Sequence, residues 1–399
     1  MSHEPPAPPS AAELIELIQK IGAPLSTENI SLANALSRVL REPVCATEDQ
    51  PAFDRSAVDG HAVRCDDPST LFRVVDEIRA GDWKPQPLQT GNAVRIATGG
   101  ALPSPDLQVI MKEDTVLEGD TLRLLRRTPE RHIRFRGEDS ARGQILVAAP
   151  TRLSAGALAL FASSGFTAPC VTRLPRVIHI VTGSEIVAPD ATPGPGQIRD
   201  SNTTLVRAFL QTHGIVPRQF RVPEDEAATE TMLRTQADFA DLVLISGGAS
   251  VGKHDFTRSL LERVGFEILV SKTATRPGKP LIFAHRGPVI AFGLPGNPLA
   301  HFVCLNLFVR ATLERFSGLA PAPLWRRGVL STDLEAGGNA RETFWPAFAR
   351  ENFGEPQLTP LRWSSSGDLT ALATANALIR VEGNASSLAK GTAVAFLSA

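Results

Sequence analysis

The stretch between residues 242 and 298 constrains the fold of this chain most, because three turn-rich motifs follow one another there. They read LISGGASVGKHDF at 244–256, RPGKP at 276–280 and GLPGNP at 293–298. The first and the third each follow a short apolar run and precede a helix-like segment. An α/β sheet binds its ligand beyond the carboxyl ends of its strands. The three motifs therefore predict a site for an anionic small molecule at one edge of such a sheet.

The surrounding chain, from residue 176 to about residue 320, alternates strand-like and helix-like segments. Apolar and β-branched runs predict strands at 176–182, 215–222, 241–245, 282–284 and 289–292. Helical periodicity and capping residues predict helices over 203–213, 226–236, 255–264 and 299–316. Strands that alternate with helices indicate a parallel, doubly wound sheet with helices on both faces.

The rest of the chain has a different texture. Helices are predicted at 10–22, 31–40 and 153–165, and short β-branched runs between turns indicate a β-rich region from about 51 to 137. Further strands are predicted at 344–348, 372–378 and 393–397. We therefore expect a multidomain α/β protein whose domains are a helical and linker domain (1–45 with 138–175), a β-rich domain (46–137), an αβα domain (176–320) and a C-terminal, barrel-like β domain (321–399).

Composition bounds the class of protein. The 399 residues are 43% hydrophobic and 21% charged, with a net charge of −1, so no basic excess favours nucleic acid or an anionic membrane. No run of about 18 apolar residues predicts a membrane span, and the first ten residues lack the pattern of a signal peptide. Four scattered cysteines predict buried, reduced thiols and a cytoplasmic location; they are Cys45, Cys65, Cys170 and Cys304.

The glycine-rich motif at 246–252 has the residue types of an anion cradle. Its glycines permit backbone conformations in which successive N–H groups converge on an oxyanion, and its serines supply further donors. A helix N-terminus that follows adds partial positive charge. A tight turn without a ligand remains the alternative. The residues expected to hold the anion are Ser246, Gly247, Gly248, Ser250 and Gly252.

The two other motifs carry cations and a rigid turn. Arg276 and Lys279 offer two positive charges on a loop stiffened by prolines. Pro298 fits the start of a helix, and Asn297 and Pro295 complete the turn before it. The alternatives are a solvated loop in the first case and a turn without a ligand in the second.

Several carboxylates follow predicted strands of the same sheet. Glu185 follows the first strand, Glu224 a second, and Asp255 the glycine-rich motif, while Asp200 precedes a helix. Carboxylates repel a phosphate ligand unless a divalent cation lies between them, and Mg²⁺ binds one or two carboxylates together with phosphate oxygens. The sequence therefore predicts a magnesium site, with helix capping as the alternative reading of each carboxylate.

Taken together, the motifs resemble the molybdopterin molybdenumtransferase family, to which the E domain of gephyrin belongs. The resemblance covers the chain from about residue 10 to its end. The stretches that carry it are PAFDRSAVDGHAV (51–63), RIATGGALP (95–103), RGED (136–139), PRVIHIVTGSEIV (175–187), GQIRDSN (196–202), SGGASVGKHD (246–255), RPGKP (276–280) and LPGNP (294–298).

The resemblance implies a homodimer of four-domain subunits with an αβα molybdopterin-binding domain, and a reaction of adenylylated molybdopterin with molybdate that needs Mg²⁺ and releases AMP. It also implies molybdopterin adenylyltransferase and apo-molybdoenzymes or their chaperones as partners. By resemblance, the catalytic positions are Asp59, Thr98, Glu185 and Asp255, the metal positions Glu185, Glu224 and Asp255, and the molybdate-side positions Arg276, Lys279, Pro298, Arg341 and Ser365 or Ser366.

Two other functions fit part of the sequence. An adenylyltransferase would share the αβα domain, although it would not need the domains on either side of it. A non-catalytic molybdopterin-binding scaffold would keep the cradle, although it would not need the carboxylates. The chain has both the extra domains and the carboxylates, which favours the molybdenum-inserting transferase.

Overall fold

The computed structural model describes residues 7–222, 226–247, 254–319 and 325–399, with the backbone alone at residues 226, 254 and 255. The chain divides into two compact units, one formed by Met1–Glu28 with Thr172–Ala399 and the other by Asn29–Val171. Among the described residues, no helix combines the length and the apolar character of a membrane-spanning segment.

Helices are few in this fold. In the described residues they are α1 (Ala11–Ile21), α2 (Ala155–Ser163), α3 (Asn202–Gln211), α4 (Glu226–Ala237), α5 (His254–Arg263), α6 (Pro298–Cys304) and α7 (Arg310–Ser317). A π-helical turn, Leu305–Val309, joins α6 to α7, so the predicted helix over 299–316 is continuous but not uniformly α-helical. Short 3₁₀ turns occur at Leu32–Asn34, Lys112–Asp114 and Thr370–Ala373.

Strands make up most of the regular structure. In the first half of the chain they are β1 (Thr27–Asn29), β2 (Val39–Leu40), β3 (Val44–Cys45), β4 (Arg55–Ser56), β5 (Gly60–Arg64), β6 (Leu71–Ile78), β7 (Asn92–Ile96), β8 (Leu107–Met111), β9 (Thr115–Glu118), β10 (Thr121–Leu124), β11 (Ile133–Arg134), β12 (Ile145–Val147), β13 (Thr151–Arg152), β14 (Cys170–Thr172), β15 (Val177–Thr182), β16 (Ile186–Val187) and β17 (Ile198–Arg199). In the second half they are β18 (Arg218–Val222), β19 (Leu242–Ser246), β20 (Glu267–Val270), β21 (Thr275–Arg276), β22 (Ile282–Arg286), β23 (Val289–Leu294), β24 (Arg326–Leu330), β25 (Leu334–Glu335), β26 (Glu342–Arg350), β27 (Gln357–Pro360), β28 (Ala377–Val381), β29 (Ser387–Leu388) and β30 (Ala393–Ser398).

A six-stranded sheet of order β18-β15-β19-β23-β22-β20 forms the centre of the larger unit. The first four strands are parallel, as the alternating pattern predicted. The sheet as a whole is mixed, because β22 pairs antiparallel with both β23 and the edge strand β20. The cause is the short link between β22 and β23, where Gly287 takes a positive φ of 55° and returns the chain as a hairpin.

Helices cover both faces of this sheet. Alternate residues of β19 belong to opposite cores, with Leu242 and Leu244 in one and Val243 and Ile245 in the other, as the period of two along a strand requires. The first core includes apolar residues of α1, α3, α6, α7 and the π-helical turn. The second core includes apolar residues of α4 and α5. The predicted αβα architecture is confirmed.

The C-terminal region forms a closed barrel of five strands. Its order is β26-β27-β24-β30-β28, and β28 pairs again with β26 to close the ring. The short strand β21 pairs with β26 from outside, so Arg276 lies opposite Thr343. This pairing joins the RPGKP loop of the αβα region to the barrel, whose barrel-like character the sequence predicted.

The smaller unit is rich in β structure, as expected. Its main sheet has the order β8-β5-β7-β6-β10-β9, and two apolar clusters lie against it. Strand β5 pairs with β7 and β8, so Gly60 lies opposite Ile96 and Met111. Helix α2 and the strands β2, β13 and β14 complete the unit around Phe161.

Two predicted elements are wrong. The segment 31–40 is not a helix: after the turn Leu32–Asn34, Ser37 takes a positive φ of 63° and the chain becomes the strand Val39–Leu40. The strand predicted at 372–378 begins only at Ala377, because Thr370–Ala373 forms a 3₁₀ turn. In both segments tertiary pairing overrides a weak local pattern.

The four cysteines form no disulfide, as predicted, but only one is fully buried. Cys304 lies in the core, where burial raises the pKa of its thiol. Cys45 and Cys65 are exposed, and Cys170 is partly buried. The expectation that all four are buried is therefore wrong.

Asp241 anchors the amino end of β19, opposite the edge that the motifs occupy. Its carboxylate accepts two hydrogen bonds from the Arg173 guanidinium, at 2.6 and 2.7 Å, and one from the backbone N–H of Arg176 at 2.8 Å. Burial by itself raises the pKa of this carboxyl, but the hydrogen bonds from Arg173 and Arg176 outweigh burial and hold the pKa at about 2.

We expect Asp241→Asn to lower the free energy of unfolding by about 2 kcal/mol at pH 7. The folded pKa lies below the unfolded value of about 3.9, so this contribution is complete above pH 4 and is lost as the pH falls toward 2. Urea unfolding at pH 7 and pH 3 measures it. Asp238→Asn is the matched control, because its ion pair with Arg286 is exposed and should contribute less than about 1 kcal/mol. Equal losses for both variants would contradict the prediction.

Candidate functional site

A cavity of about 870 Å³ opens at the carboxyl ends of β15, β19 and β23. Its walls come from the αβα region and from the C-terminal barrel, and all of them belong to the larger unit. The described residues that line it are Val181, Glu185, Ile186, Ile198, Arg199, Asp200, Ser201, Asn202, Ser246, Gly247, Arg276, Pro277, Gly278, Lys279, Pro280, Pro295, Gly296, Asn297, Pro298, Ala300, Arg341, Trp363, Ser364, Ser365, Ser366, Gly367 and Leu369.

The glycine-rich turn begins at the floor of this cavity. Gly247 has a φ of 104°, and a Cβ there would lie 2.0 Å from the carbonyl oxygen of Thr182. Only glycine fits, because the backbone passes against the end of the neighbouring strand. Ser246 and Gly247 line the cavity as the sequence predicted. Gly248, Ser250 and Gly252 of the predicted cradle lie outside the described residues.

A chain of buried hydrogen bonds runs beneath the floor. The Gln219 amide donates to Nδ1 of His179 at 3.1 Å, so Nε2 of His179 carries the proton and donates to Oγ of Ser246 at 2.6 Å. At the other end, Nδ1 of His301 donates to the carbonyl of Pro295 at 3.0 Å, which leaves Nε2 of His301 to accept from Ser246 at 3.5 Å. The Ser246 hydroxyl is therefore engaged within the protein, although the sequence suggested it as a donor to the ligand.

Both histidines of this hydrogen-bonded chain, His179 and His301, are neutral. Burial lowers the pKa of His179 to about 3, assisted by the neighbouring His301, and burial lowers the pKa of His301 to about 4. The floor of the cavity therefore has a fixed pattern of donors and acceptors and no charge of its own near neutral pH.

The GLPGNP motif forms the turn between β23 and α6. Pro298 occupies the first turn of α6, as predicted, while Asn297 makes no capping bond. Instead, the amide of Asn297 donates to Oγ of Ser366 at 2.6 Å, and the N–H of Leu299 donates to the carbonyl of Ser366 at 3.0 Å. Asn202 donates to the carbonyl of Gly296 at 2.8 Å. The turn thus joins the αβα region to a serine-rich loop of the barrel.

Four cations lie in the cavity wall without an acidic partner. They are Arg199, Arg276, Lys279 and Arg341, and within the described residues no carboxylate comes within ion-pairing distance of any of them. Arg199 donates to the carbonyl of Ala191 at 3.1 Å. Arg341 donates to the carbonyl of Thr275 at 3.0 Å. Burial and then the charge of Arg276 lower the pKa of Arg341, which shows that two like charges lie near each other. Such a cluster favours an anionic ligand.

The two carboxylates in the cavity wall have different surroundings. Asp200 accepts from the backbone N–H of Thr203 at 2.9 Å and pairs with Arg221 at 3.0 Å. Burial opposes ionisation of Asp200, but the bonds from Thr203 and Arg221 outweigh it and lower the pKa. Asp200 therefore caps α3, which is the alternative reading that its position before a helix allowed. Glu185 has no side-chain partner in the part of the chain that the structure describes.

The predicted metal positions are only partly visible. Glu185 lines the cavity. Glu224 lies outside the described residues, and of Asp255 only the backbone is described, in the first turn of α5. Within the described residues, no three His, Cys, Asp or Glu side chains gather closely enough to hold a metal ion. Glu185 fits one ligand position of Mg²⁺, because it is an unpaired carboxylate beside a space for an anion.

Asp59 and Thr98 contact each other in the smaller unit. One carboxylate oxygen of Asp59 accepts from both the backbone N–H and the hydroxyl of Thr98, each at 2.8 Å. These bonds lower the pKa of Asp59, and the positive charges of Lys112 and Arg95 add to the effect. The sequence singled out both residues through separate motifs, and the structure places them side by side.

Sequence reasoning did not single out several residues of the site. His179 is a polar residue inside the apolar strand Val177–Thr182, and this contrast was a signal that it needs buried partners. Trp363 lies in the cavity wall, and Asp368 holds its loop by accepting from the N–H and hydroxyl of Ser364, each at 3.1 Å. Their placement depends on contacts between distant parts of the chain, which no local pattern shows.

Comparison with known proteins defines the class first. Residues 178–315 match the model of a probable molybdopterin binding domain, residues 9–165 match the MoeA N-terminal region (domain I and II), and residues 327–398 match the MoeA C-terminal region (domain IV). The fold is therefore that of a multidomain protein with a probable molybdopterin-binding domain.

Whole-chain relatives then give the family. The molybdopterin molybdenumtransferase of Staphylococcus epidermidis is 31% identical, over 99% of this chain and 96% of its own length. The molybdopterin molybdenumtransferase of a Nostoc species is 35% identical, over 92% of this chain and 87% of its own length. The crystal structure of the molybdopterin biosynthesis protein MoeA from Pyrococcus horikoshii superposes with a TM-score of 0.82 at 26% identity, over 98% of this chain and all of that one. The chain belongs to the molybdopterin molybdenumtransferase family, whose members are transferases of molybdenum cofactor biosynthesis.

The buried histidine chain predicts a fixed pair of opposite tautomers. We expect nitrogen-15 NMR to show His179 protonated on Nε2 and His301 on Nδ1, with neither ring titrating between pH 8 and 5. The unfolded histidines, with an ordinary pKa of about 6.5, bind protons that the folded ones do not. The free energy of unfolding should therefore fall as the pH decreases from about 7 to 4.

Single substitutions His179→Gln and His301→Gln assign the two signals among the eight histidines of the chain. A titration midpoint near 6.5 in either ring, or the same tautomer in both, would contradict the arrangement.

Proposed function

We propose that the chain inserts molybdenum from molybdate into the dithiolene of adenylylated molybdopterin, with Mg²⁺-dependent release of AMP. The observation that carries the proposal is the composition of the cavity wall: Arg276, Lys279 and Arg341 without acidic partners, beside the glycine turn at Gly247. Family membership supports the same reaction class.

The substrates divide between the two sides of the cavity. The turn that begins at Gly247 would bind a phosphate of the pterin substrate, because its backbone lies at the end of a strand and before a helix. On the other side, Arg276, Lys279 and Arg341 would bind the molybdate dianion. Further donors would come from the loop around Ser365 and Ser366 and from Asn297, in the turn that Pro295 and Pro298 make rigid. A cation cluster beside a phosphate site brings the two anions within reach of each other.

The magnesium ion would be held by Glu185 together with Glu224 and Asp255, and when bound it would neutralise the charge of the phosphoanhydride bond that is broken. Asp200 is unsuited to this role, because Thr203 and Arg221 already occupy its carboxylate. Glu185 has no such partner in the described part of the chain, so its oxygens are free for a cation. Asp59 and Thr98 complete the proposed catalytic set.

We further propose a homodimer built from subunits of four domains, with boundaries near residues 46, 138, 176 and 321. The partners would be the adenylyltransferase that supplies the substrate and apo-molybdoenzymes or their chaperones that receive the product. The four cysteines without disulfides are consistent with a cytoplasmic reaction.

The direct test incubates the purified protein with adenylylated molybdopterin, Mg²⁺ and molybdate, and follows AMP release together with the formation of active cofactor. Molybdate-dependent AMP release with a product that activates an apo-molybdoenzyme is the expected result. Tight pterin binding with neither product would instead indicate a carrier or scaffold, and adenylylation of molybdopterin from ATP would indicate an adenylyltransferase.

We expect Asp255→Ala to reduce AMP release at least 100-fold without unfolding the protein, because it removes a proposed metal ligand from the first turn of α5. Glu262→Ala in the same helix is the control, since that side chain only pairs with Arg258 at the surface. Turnover of the Asp255 variant at the wild-type rate would remove Asp255 from the site.

Glu185→Gln should raise the Mg²⁺ concentration needed for half-maximal AMP release about tenfold or more, because the amide oxygen is a weaker ligand than a carboxylate. The KM for molybdate should change little, since the cations of the opposite wall are intact. Asp190→Asn, at an exposed position just after β16, is the control. An unchanged Mg²⁺ requirement would exclude Glu185 as a ligand.

A further inference from the structure

Trp363 is the aromatic residue of the cavity wall, and the guanidinium of Arg276 lies over its ring. The central carbon of the guanidinium is 5.3 Å from the ring centroid. Both residues line the cavity. At this distance the negative face of the indole attracts the cation and favours one placement of the Arg276 side chain.

This contact leaves the N–H donors of Arg276 unused. In the described part of the chain, no acceptor bonds to the guanidinium and no carboxylate pairs with it. A carboxylate partner would position the guanidinium by consuming its donors, whereas the face of an aromatic ring positions it and consumes none. The fork of Arg276 is therefore both held in place and free to bind oxygens of a ligand.

The indole that holds Arg276 is itself held in place, by a neighbouring ring and by the loop that carries it. Trp345 contacts Trp363 edge to face, with ring centroids 5.4 Å apart and planes at 73°, and its own N–H donates to the carbonyl of Leu361 at 2.8 Å. The loop that carries Trp363 is also held, because Asp368 accepts from the backbone N–H of Ser364, the next residue along the chain, at 3.1 Å. Strand pairing between β21 and β26 places Arg276 beside this aromatic pair.

A second arginine–tryptophan pair in the same unit shows the contrast. The guanidinium of Arg380 lies 5.3 Å from the ring centroid of Trp325, the same distance. Arg380, however, is also paired with the carboxylate of Glu342, and neither Arg380 nor Trp325 lines the cavity. In the first pair the arginine lies in the cavity wall and its N–H donors are free. In the second pair the arginine donates to a carboxylate.

We propose that Trp363 is a positioning residue for molybdate, which holds the planar fork of Arg276 so that two of its N–H groups meet oxygens of the tetrahedral dianion. The inference rests on the proposed function and adds a residue that determines its affinity for the oxyanion. A guanidinium can donate two parallel hydrogen bonds to an oxyanion only when its plane is correctly oriented. Loss of the ring would free the side chain to rotate and would weaken that contact.

The experiment measures the KM for molybdate and kcat in the AMP-release assay, together with molybdate binding by calorimetry. Trp363→Leu should raise the KM about 3- to 10-fold, the range that a partly buried cation–π contact supports. The kcat should change less than twofold, because the contact affects the binding of molybdate equally in the ground state and in the transition state. Trp363→Phe, which keeps an aromatic face, should give a smaller increase and guards against a failure of the leucine variant to fold.

Two further measurements separate positioning from a general loss of structure. In an Arg276→Gln background, Trp363→Leu should change the KM by less than twofold, because the group that the ring orients is gone. Trp325→Leu, which breaks the other arginine–tryptophan pair, should leave the KM for molybdate unchanged.

The possible results distinguish the inference from the proposed function. An equal increase in the KM from Trp363→Leu in both backgrounds, or no increase in the wild-type background, would overturn the role of Trp363 while molybdate turnover by the wild type still stands. A wild-type protein that neither binds nor consumes molybdate would overturn both.

Discussion

The site depends on one geometrical constraint: three parallel, buried strands end at the same edge of the central sheet. Strands β15, β19 and β23 finish there together, and each end continues into residues of the cavity wall. Because both faces of the sheet are packed against helices, the strand ends cannot shift separately. The chain of hydrogen bonds through His179, Ser246 and His301 adds a polar link between β15, the end of β19 and the turn that follows β23.

The floor of the cavity is neutral, whereas its wall carries positive charge. The histidines carry no charge near neutral pH and Asp200 is compensated by Arg221, whereas Arg276, Lys279 and Arg341 are left without acidic partners among the described residues. Burial lowers the pKa of Arg341, and repulsion by the charge of Arg276 lowers it further. An anion bound beside both guanidinium groups would relieve this repulsion, which favours anion binding at this wall.

Much of this arrangement was predictable from the sequence, because it follows from local patterns. Apolar runs between turns gave the strands of the αβα region, Pro298 gave the start of α6, and the glycine at 247 marked the turn. The antiparallel edge of the sheet and the pairing of Trp363 with Arg276 were not predictable, since each depends on which distant segments meet. The failed helix at 31–40 shows the reverse case, in which a local pattern was too weak to decide.

The cavity wall is built from two parts of the fold that are far apart in sequence, the αβα region and the C-terminal barrel. They are joined by the pairing of β21 with β26 and by the hydrogen bond between Asn297 and Ser366. A ligand held by both parts acts as a tie between them, and its binding free energy is added to whatever attaches the barrel to the sheet. Amide hydrogen exchange in the barrel would therefore slow when the cavity fills, even at strands that never touch the ligand. The local stability of the C-terminal barrel would thus depend on whether a ligand is bound in the cavity.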